Sequence, residues 1–558
     1  MNACINKFII IFFFFLGSPY LLLSQECIWS SVAGGNGNDK AKSISSDKKG
    51  NIYVAGHTAS SYCYFETDTI TPKGNDDLFI VKYDVSGHEV WIKQLGWENT
   101  NEDDYEAIGG IITDTIHERL LVSGTFYTHL NLPDTTLNGW GQTVFVLSMD
   151  YNGNVIWARA GVSVQHEFGK NIAFDITCDE EGSIYVSGCN KLLASFNGIE
   201  VPPGGFLAKY DLNGNILWAK NKFRYYSQWP PNPTYPYTEV PPYHLSYWNN
   251  HLLITGHCYN DTVIIDTITI CNSKGSYISC FSKDGNIVWI KLVGGPKSNS
   301  GSRASADKQG NLYLTGMFHG YGVFGEDTLY NQTSGDDCFL SKMTSTGEFI
   351  WSRQLNASIN AWGESVVKDI SGAVYLSGTF SGTAQFGNSY LVSGSDWDMF
   401  ISHYDSNGFC NGVRQYSSGG IPGLTNDLDG NICMAGWFDD ALSIGSNTFH
   451  SRGGSDIFVA KCSAITGLEE PPKNDQNSLL IYANPNTGKC NITIPDEFKN
   501  EKNLRLQIFD NKGRLIQQSA VEIAEDKIKL NIEAQAKGMY TAILSNGKKN
   551  YSGKIVFE

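Results

Sequence analysis

The chain has 558 residues, 58 of them glycine, with 13% aromatic and 18% charged residues and a formal net charge of −16. This length allows two or more domains and a large buried core. The negative charge argues against a nucleic-acid partner, because an acidic chain repels phosphate. Short runs of Val, Ile, Tyr, Phe and Trp, separated by Gly, Asn and Asp, favour an all-β protein.

Residues 1–24 have the pattern of a secretory signal peptide. Lys7 supplies a positive charge, residues 8–16 form an apolar run, and cleavage after Ser24 would leave Gln25 as the first mature residue. The apolar run is short for a membrane span, and the sequence shows no other candidate span. We therefore expect export to the periplasm, with an uncleaved anchor as the alternative.

A short pattern, apolar-x-apolar-small-Gly, recurs seven times along the chain. Its glycines are Gly56, Gly124, Gly188, Gly256, Gly316, Gly378 and Gly436. A second apolar run follows each glycine, and a turn then leads to a strand with Trp. The tryptophans are Trp29, Trp91, Trp157, Trp218, Trp289 and Trp351, with Val413 where a seventh would fall. Each repeat offers four strands with apolar residues on both faces, which predicts stacked propeller blades.

Four strands are predicted in the first repeat. They lie near Ala41–Asp47, at Asn51–Gly56, at Leu78–Tyr83 and around Trp91. The turn at residues 47–50 suits a tight hairpin in which glycine takes a positive φ.

The ends of the repeat array predict a closed ring. The chain begins with a Trp strand that has no blade before it, and the last repeat ends at Asp456–Lys461 without a Trp strand. The N-terminal strand can therefore complete the last blade, which removes two exposed sheet edges. Cys27 would then lie near Cys462, either in a disulfide or as one of two unpaired thiols.

The repeats resemble the bacterial seven-bladed propeller repeats typified by Gly-Asn-Ile-Tyr-Val-Ala-Gly and Asp-x-Phe-Val-x-Lys-Tyr-Asp. The resemblance covers about residues 27–462. It implies a seven-bladed β-propeller, which we assign to residues 25–466. It implies no function, because propellers have many unrelated activities.

The composition changes after the propeller. Residues 467–478 read as a polar linker, and residues 479–558 as a small β-sandwich. Its predicted strands are Leu479–Tyr482, Asn491–Ile494, Leu504–Phe509, Lys527–Ile532, Gly538–Leu544 and Gly553–Val556.

Residues 479–558 resemble the C-terminal sorting domain of the type IX secretion system of Bacteroidota. The residues that carry the resemblance are Asn484, Pro485, Gly488, Gly513, Gly538, Tyr540 and Lys554. It implies recognition by the secretion machinery, passage across the outer membrane, and release or attachment at the cell surface. The alternative is a permanent accessory β-domain.

Six Asp-Thr triplets resemble the O-glycosylation acceptor of the same phylum. The acceptor residues would be Thr69, Thr115, Thr135, Thr262, Thr267 and Thr328. The alternative is that Asp-Thr begins a short strand that was repeated by duplication.

The longest irregular stretch, residues 223–244, is rich in Pro and aromatic residues. Its aromatic rings could stack on sugars or on peptide side chains, and Pro lowers the entropic cost of ordering a loop. The candidate ligand contacts are Tyr225, Tyr226, Trp229, Tyr235 and Tyr237. The alternative is a loop that folds onto its own propeller.

The sequence carries no catalytic motif and no zinc-binding arrangement of His, so we predict no required cofactor. Two acidic clusters, Asp427–Asn431 and Asn101–Asp104, offer oxygen ligands for Ca²⁺, but their spacing matches no full EF-hand loop and we favour solvated turn acids. Carboxylates could still converge at the ring centre, as in propeller glycosidases. We expect a non-enzymatic binding or adhesion protein for glycans or proteins. A polysaccharide hydrolase or lyase and a passive structural component of the surface are the alternatives.

Overall fold

A computed structural model divides the chain into two compact units, Met1–Ile465 and Thr466–Glu558. It describes residues 27–557 except 75, 97–105, 165–168, 226–240, 259–261, 272–274, 296–302, 332, 370, 388, 464–478, 480, 483–487, 500, 502–503, 511–514, 522–526, 536 and 547–549. The predicted signal peptide, the linker and most of the aromatic stretch lie outside these residues. Among the helices of the described part, none is long and apolar enough to cross a membrane.

The N-terminal unit consists of β-strands. The N-terminal strand and blades one to three are β1 (Cys27–Ala33), β2 (Asp39–Ser46), β3 (Ile52–Thr58), β4 (Cys63–Tyr64), β5 (Thr69–Ile70), β6 (Asp77–Tyr83), β7 (Glu89–Leu95), β8 (Ala107–Asp114), β9 (Arg119–Leu132), β10 (Thr135–Asp150), β11 (Val155–Ser163), β12 (Gly169–Cys178), β13 (Ile184–Asn190), β14 (Ala194–Phe196), β15 (Ile199–Val201), β16 (Gly204–Tyr210) and β17 (Ile216–Tyr225). Blades four to seven are β18 (His244–Trp248), β19 (His251–Cys258), β20 (Thr262–Ile265), β21 (Ile268–Cys271), β22 (Gly275–Ser282), β23 (Ile287–Val293), β24 (Arg303–Ala306), β25 (Leu312–His319), β26 (Tyr321–Phe324), β27 (Asp327–Tyr330), β28 (Asp336–Met343), β29 (Phe349–Ala357), β30 (Asn360–Lys368), β31 (Val374–Ser381), β32 (Thr383–Phe386), β33 (Ser389–Val392), β34 (Asp398–Tyr404), β35 (Cys410–Tyr416), β36 (Gly419–Asn426), β37 (Ile432–Phe438), β38 (Ala441–Ile444), β39 (Asn447–His450) and β40 (Asp456–Cys462).

Each blade is an antiparallel sheet of four strands, with a short outer hairpin between its second and third strands. In blade two this hairpin is the extension of β9 and β10. The innermost strand of each blade contacts that of the next, in the order β2, β8, β12, β18, β24, β30 and β36, and β36 contacts β2. The blades therefore form a closed ring, a seven-bladed β-propeller.

Strand β1 completes the last blade. The strand order there is β1-β40-β37-β36, and β1 runs antiparallel to β40. This pairing confirms the predicted ring closure by the N-terminal strand. It also leaves blade seven as the blade in which no turn connects the third strand to the fourth.

The blades are apolar on both faces because a neighbouring sheet covers each face. In β3, Tyr53 and Ala55 pack into the core shared with blade two, whereas Ile52 and Val54 pack into the core shared with blade seven. All four side chains are fully buried. Full burial of a side chain such as Ile52 or Val54 contributes about 1.5–3 kcal/mol, so the stacking of blades supplies much of the stability.

The repeated glycine is required inside each blade. A Cβ at Gly56 would lie 2.1 Å from the carbonyl oxygen of Lys40 on β2 and 2.7 Å from the ring of Phe79 on β6. The same two kinds of contact surround Gly188 and Gly378. A side chain at these positions would push the innermost strand away from its sheet.

The repeated Trp joins one blade to the next. The indole N–H of Trp157 in blade two donates to the Leu212 carbonyl, 3.1 Å away in the turn between the third and fourth strands of blade three. The Trp157 ring also covers Gly214 of that turn, which has φ 76°. Equivalent bonds run from Trp29 to Val85, Trp91 to Tyr151, Trp289 to Ser345 and Trp351 to Ser406.

The sequence interpretation of the seventh Trp position was off by one residue. Trp351 pairs with Lys342, and the equivalent His403 of blade six pairs with Gly412, not with Val413. The absence of a Trp there follows from the ring closure. The ring of a Trp in blade six would cover the turn after the third strand of blade seven, and blade seven has no such turn.

The C-terminal unit has two sheets around one core. Its elements are β41 (Ile481–Tyr482), β42 (Lys489–Thr493), a 3₁₀ turn (Asp496–Phe498), β43 (Leu504–Asp510), β44 (Leu515–Val521), β45 (Lys527–Asn531), β46 (Gly538–Ser545) and β47 (Asn550–Phe557). The sheets have the orders β41-β42-β45 and β44-β43-β46-β47. Ile492 from the first sheet and Ile508 and Ala542 from the second are fully buried in the shared core. The sequence analysis missed β44, a mostly exposed edge strand with three consecutive polar residues.

Candidate functional site

One residue of each innermost strand occupies the same register position at the ring centre. It pairs with the residue that precedes the repeated glycine, as Ser43 pairs with Ala55 before Gly56. The seven residues are Ser43, Gly110, Asp175, His244, Arg303, Ser365 and Gly423. We call this set the channel ring. Three consecutive blades, three to five, place Asp175, His244 and Arg303 in it.

A β-bulge precedes the channel ring in five blades and adds further side chains. The register shifts between residues 41 and 43 in blade one and between residues 363 and 365 in blade six, so Lys42 and Glu364 are the extra residues. A bulge leaves its extra residue outside the ladder and re-aims its side chain. The bulges thus put a cation and a carboxylate beside the ring of paired residues.

His244 and Arg303 of the channel ring, together with Lys42 and Glu364, line a cavity of about 400 Å³. We call it the channel mouth. Its charged and aromatic lining residues are Lys40, Lys42, His57, His244, Arg303, Trp362, Glu364 and Trp437. They come from blades one, four, five, six and seven, so no single repeat contains the site.

Two polar atoms at the channel mouth are buried without a hydrogen-bond partner. They are Nε of Arg303 and Nδ1 of His244. The Asp175 carboxylate lies 3.7 Å from His244 Nδ1, beyond hydrogen-bond distance. Arg303 donates from Nη1 to the Pro422 carbonyl at 2.9 Å, which fixes the guanidinium while Nε stays unpaired. Buried polar atoms without partners are rare and point to a ligand or an ordered water.

The carboxylates of the site are already engaged. Asp175 accepts a hydrogen bond from the backbone N–H of Leu245 at 3.0 Å, and Glu364 accepts one from that of Ile421 at 2.9 Å. Among the contacts of the described residues, the Lys42 ammonium has neither an ion pair nor a hydrogen bond. The groups of the channel mouth that lack protein partners are therefore hydrogen-bond donors, whereas its carboxylate acceptors have partners.

The surrounding protein changes the pKa values of the site. Burial lowers the pKa of Lys42, and the nearby Arg303 guanidinium lowers it further, even though the side chain is open to solvent along the channel. Burial, with a second contribution from Arg303, lowers the pKa of His244 to about 4, so this imidazole is neutral at pH 7. Burial raises the pKa of Glu364, while the Ile421 N–H and Lys42 oppose the rise.

Aromatic rings flank the charged residues. The Lys40 ammonium lies over the Trp437 ring, 4.1 Å from its centroid. Trp362 packs against Trp397 at a centroid distance of 4.3 Å and is 36% exposed. A partly exposed indole beside unpaired cations suits a ligand with a flat apolar face and an anionic group.

Sequence reasoning did not find this site. The periodicity identified the innermost strands, but Asp175, His244 and Arg303 lie 59 to 69 residues apart along the chain. The signal that could have found them is a repeat position at which the residue type differs between repeats and is charged in some of them. The channel-ring residue lies 13 positions before the repeated glycine in five repeats, 14 in blade two and 12 in blade four. An alignment on the glycine alone would therefore find Asp175 and Arg303 but not His244.

The predicted aromatic loop lies mostly outside the described residues. Tyr226, Trp229, Tyr235 and Tyr237 are not described, and Tyr225 is described only as the last backbone position of β17. The loop connects β17 to β18, whose first residue is His244 of the channel ring. The two ends of the candidate loop are thus parts of blades three and four.

Four of the six candidate glycosylation sites have an exposed threonine in an outer hairpin. They are Thr69, Thr135, Thr267 and Thr328. Thr115 is half-buried in the turn between β8 and β9, and Thr262 begins β20. Their glycosylation remains a prediction.

The Asp427 turn uses its carboxylate internally. Asp427 accepts hydrogen bonds from the backbone N–H groups of Asp429 and Asn431 and from the Asn431 amide, and it forms an ion pair with Lys461 at 2.5 Å. The second Ca²⁺ candidate, Asn101–Asp104, lies outside the described residues. In the part of the chain that the structure describes, no group of three or more His, Cys, Asp or Glu side chains could hold a metal ion.

Of the sorting residues, the structure describes Gly488, Gly538, Tyr540 and the backbone of Lys554. Gly488 has φ 95° and accepts a hydrogen bond from the Ile532 N–H at 2.7 Å. Gly538 begins β46, and Tyr540 is buried in the core of the unit. Asn484, Pro485 and Gly513 lie outside the described residues.

Two family models match the chain. Residues 480–558 match the secretion system C-terminal sorting domain, and residues 28–62 match the beta-propeller repeat. No curated protein matches the chain significantly.

Several solved structures show a distant similarity to the chain. A member of the DUF4221 family from Bacteroides vulgatus is 13% identical, with a TM-score of 0.28 over 63% of this chain and 93% of that chain. The endosialidase of phage phi92 is 10% identical, with a TM-score of 0.37 over 95% and 87%. A glycoside hydrolase of family 32 from Bifidobacterium adolescentis is 9% identical, with a TM-score of 0.25 over 95% of both chains.

Similarities of this size carry no information about activity. The C-terminal match is informative, because a sorting domain of this family directs its cargo out of the cell. The chain is thus an all-β propeller repeat protein with a C-terminal sorting domain of the type IX secretion system, and it is exported to the cell surface or secreted.

Proposed function

We propose that this exported propeller is a non-enzymatic binding protein whose channel mouth takes an acidic glycan. The observation that carries the proposal is a pair of donors without a protein partner, the exposed Lys42 Nζ and the buried Arg303 Nε, beside carboxylates that are already engaged. A carboxylate or sulfate group on a ligand would accept hydrogen bonds from both donors. Hydrogen bonds to such charged groups are about twice as strong as neutral ones.

The aromatic rings support a sugar as the carrier of this anion. Trp362 is partly exposed at the cavity, and Trp437 forms another part of its wall. Sugar rings have apolar faces of C–H groups that stack on indole, while their hydroxyls need polar partners at the edge of the site. His244 Nδ1, unpaired and neutral at pH 7, offers such a polar partner.

The aromatic loop is a second candidate surface for the same function. Tyr225, Tyr226, Trp229, Tyr235 and Tyr237 belong to the segment that leads into His244. Loops on a rigid scaffold often carry binding residues. This surface would suit neutral glycans or surface proteins, because its candidate contacts carry no charge.

The test is a binding screen of the exported full chain against oligogalacturonates, sulfated oligosaccharides and neutral cello-oligosaccharides. Binding of an acidic glycan should weaken at least tenfold in Lys42→Ala and in Arg303→Gln, because each loses a charged hydrogen bond. The matched control is Lys48→Ala, an exposed lysine next to the other end of β2. Equal binding of neutral glycans, or equal losses in the control, would refute an anion site at the channel mouth.

A separate set of substitutions tests the loop. Alanine at Trp229, Tyr235 and Tyr237 should leave acidic-glycan binding at the channel mouth in place. If these substitutions abolish all binding while Lys42→Ala does not, the loop is the site. If the chain binds nothing in the screen, a passive structural role is favoured.

A polysaccharide lyase is the alternative that one observation favours. His244 is an unprotonated imidazole beside cations that could hold a uronate carboxylate, and a neutral His can accept a proton from carbon next to such a group. The same oligogalacturonates would then gain unsaturated ends, detected by their ultraviolet absorbance. Product formation that disappears in His244→Gln would replace the binding proposal with this one.

A further inference from the structure

Blade seven differs from the other six blades at one junction. In the six blades a turn connects the third strand to the fourth, and one residue pair closes it, as Tyr83 and Glu89 do around residues 84–88. The equivalent pairs are Met149 with Val155, Tyr210 with Ile216, Phe281 with Ile287, Met343 with Phe349, and Tyr404 with Cys410. In blade seven this pair is Cys462 with Cys27, and no turn joins them.

The two cysteines face the same side of the sheet. Both pack against the hydrophobic core shared by blades six and seven. The two thiols are close enough that each shifts the pKa of the other. Directly paired residues of antiparallel strands have Cα atoms about 4.5–5.5 Å apart, within the range that a disulfide needs.

We propose that Cys27 and Cys462 form a disulfide after export and close the propeller ring covalently at the position where the chain lacks a turn. Both are thiols in the structure. Extracytoplasmic compartments are oxidising and allow such bonds to persist. The bond would attach β1 to β40 at the end of β1 that the other blades secure through a turn.

The electrostatics assign roles to the two sulfurs. Contact with Cys462 lowers the pKa of Cys27 to about 7, whereas the same contact and burial raise the pKa of Cys462 well above its ordinary value. Cys27 is therefore the attacking thiolate, and it is also the more exposed of the two.

The reaction requires a disulfide donor, such as a thiol oxidoreductase in its oxidised form. The Cys27 thiolate attacks one sulfur of the donor, breaks the donor disulfide and forms a mixed disulfide. Cys462 then loses its proton and attacks Cys27 Sγ, which releases the donor as a dithiol. Two protein thiols are oxidised, one donor disulfide is reduced, and the two protons end on the donor.

The chain offers a matched control at the same register. Cys410 of blade six is the equivalent of Cys27, and its partner across the strands is Tyr404 instead of a thiol. Burial raises the pKa of Cys410 to about 11. Cys410→Ser should therefore change neither the disulfide nor its redox response.

The experiment uses the full chain recovered from the cell exterior and alkylated without reductant. Peptide mass spectrometry should find Cys27 linked to Cys462 and Cys410 alkylated. The thermal midpoint should fall by about 5 °C when reductant is added, because the bond closes a very long loop. Cys27→Ser and Cys462→Ser should start at the lower midpoint and show no response to reductant.

Two results would overturn the proposal. One is recovery of both thiols in alkylated form from the exported chain, together with a midpoint that reductant does not change. The other is a linked pair that includes Cys410 or another cysteine instead. If the serine variants fail to fold, the reductant response of the unaltered chain still decides between these outcomes.

Discussion

Each innermost strand has two ends, and the seven blades repeat one of them far more closely than the other. Four residues beyond the channel ring, six of the seven blades have an aspartate. We call this end of the innermost strand the turn end. Its aspartates are Asp47, Asp114, Asp179, Asp307, Asp369 and Asp427. At the channel ring the seven residues range from Gly to Asp, His and Arg. The same strand is therefore nearly invariant at one end and variable at the other.

The difference follows from what each end must do. At the turn end, Asp369 accepts hydrogen bonds from the Ser371 N–H and hydroxyl and from the Ala373 N–H, at 2.7–2.9 Å. Every blade with this turn has the same backbone donors to satisfy, so the same residue recurs. At the channel ring the residue differs from blade to blade, and the same strand pairing forms around each of them. Positions that diverge between repeats are thus the ones free to acquire function.

Blade four shows that the turn end changes when the turn changes. Trp248 stands where the other blades have aspartate, and Asn249 and Asn250 form a two-residue turn with φ of 45° and 63°. Asparagine tolerates these positive φ values, which suit a two-residue hairpin. This shorter turn leaves no backbone donors for an aspartate.

The largest effect should come from Trp157→Ala. The ring is buried against Gly214 and its N–H donates to Leu212, so the substitution should lower the free energy of unfolding by about 3–5 kcal/mol. Trp362→Ala at the channel mouth should cost less than about 1 kcal/mol, because this ring is partly exposed. Urea denaturation measures both. Equal losses would show that the channel end is also structural.

The pH dependence of stability should identify His244. Its pKa is about 4 in the folded chain and 6.5 in the unfolded chain, so the unfolded state binds the extra proton first as the pH falls. Stability from this group is complete above pH 6.5 and is lost between pH 6.5 and 4, by up to about 3 kcal/mol. Thermal midpoints across this range should fall less steeply in His244→Gln.

The comparison with His244→Gln is needed because other groups titrate in the same range. Burial raises the pKa of Asp337 and of Asp456 to about 6, which acts in the opposite direction. Burial also lowers the pKa of His257 to about 4. These groups are common to both proteins and cancel in the difference. An unchanged pH profile in the variant would contradict the burial of a neutral imidazole at the channel mouth.

Two substitutions on strand β30 and its turn compare the ends directly. Asp369→Ala leaves partly buried turn donors without their acceptor and should destabilise the protein by about 1 kcal/mol. Ser365→Ala, four residues earlier in the channel ring, should stay within about 0.5 kcal/mol, since its hydroxyl has only a 3.4 Å contact with Arg303. Guanidinium denaturation distinguishes them. A larger loss of stability in Ser365→Ala than in Asp369→Ala would contradict the view that the turn end is structural and the channel end is not.

The smallest effect on stability is expected for Lys42→Met. This change removes an exposed cation without a protein partner, so the free energy of unfolding should stay within about 0.5 kcal/mol. Acidic-glycan binding should nevertheless be lost. Calorimetric unfolding and a binding isotherm on the same sample check both. A clear loss of stability would mean that Lys42 has a structural partner.

The sequence by itself predicted the fold because the fold depends on features that recur. The glycine that admits a Phe ring, the Trp that covers the next turn and the Asp that satisfies turn donors are required in nearly every blade. Repetition therefore indicated the blades and the closure by β1. It failed locally where a blade departs from the pattern, as at Gly412, because the reason lies in a turn that a different blade lacks. The sorting domain was likewise predictable, since its motif residues lie in one continuous segment.

Tertiary structure alone decided the channel mouth and the register that pairs the two cysteines on one side of the sheet, although the sequence already placed them near each other. Asp175, His244 and Arg303 come together because blades curve around an axis, and no local pattern in the sequence encodes that axis. Whether their donors find a partner depends on the distances between blades, and only the closed ring sets those distances. Cys27 and Cys462 become neighbours for the same reason, since ring closure pairs the first strand with the last.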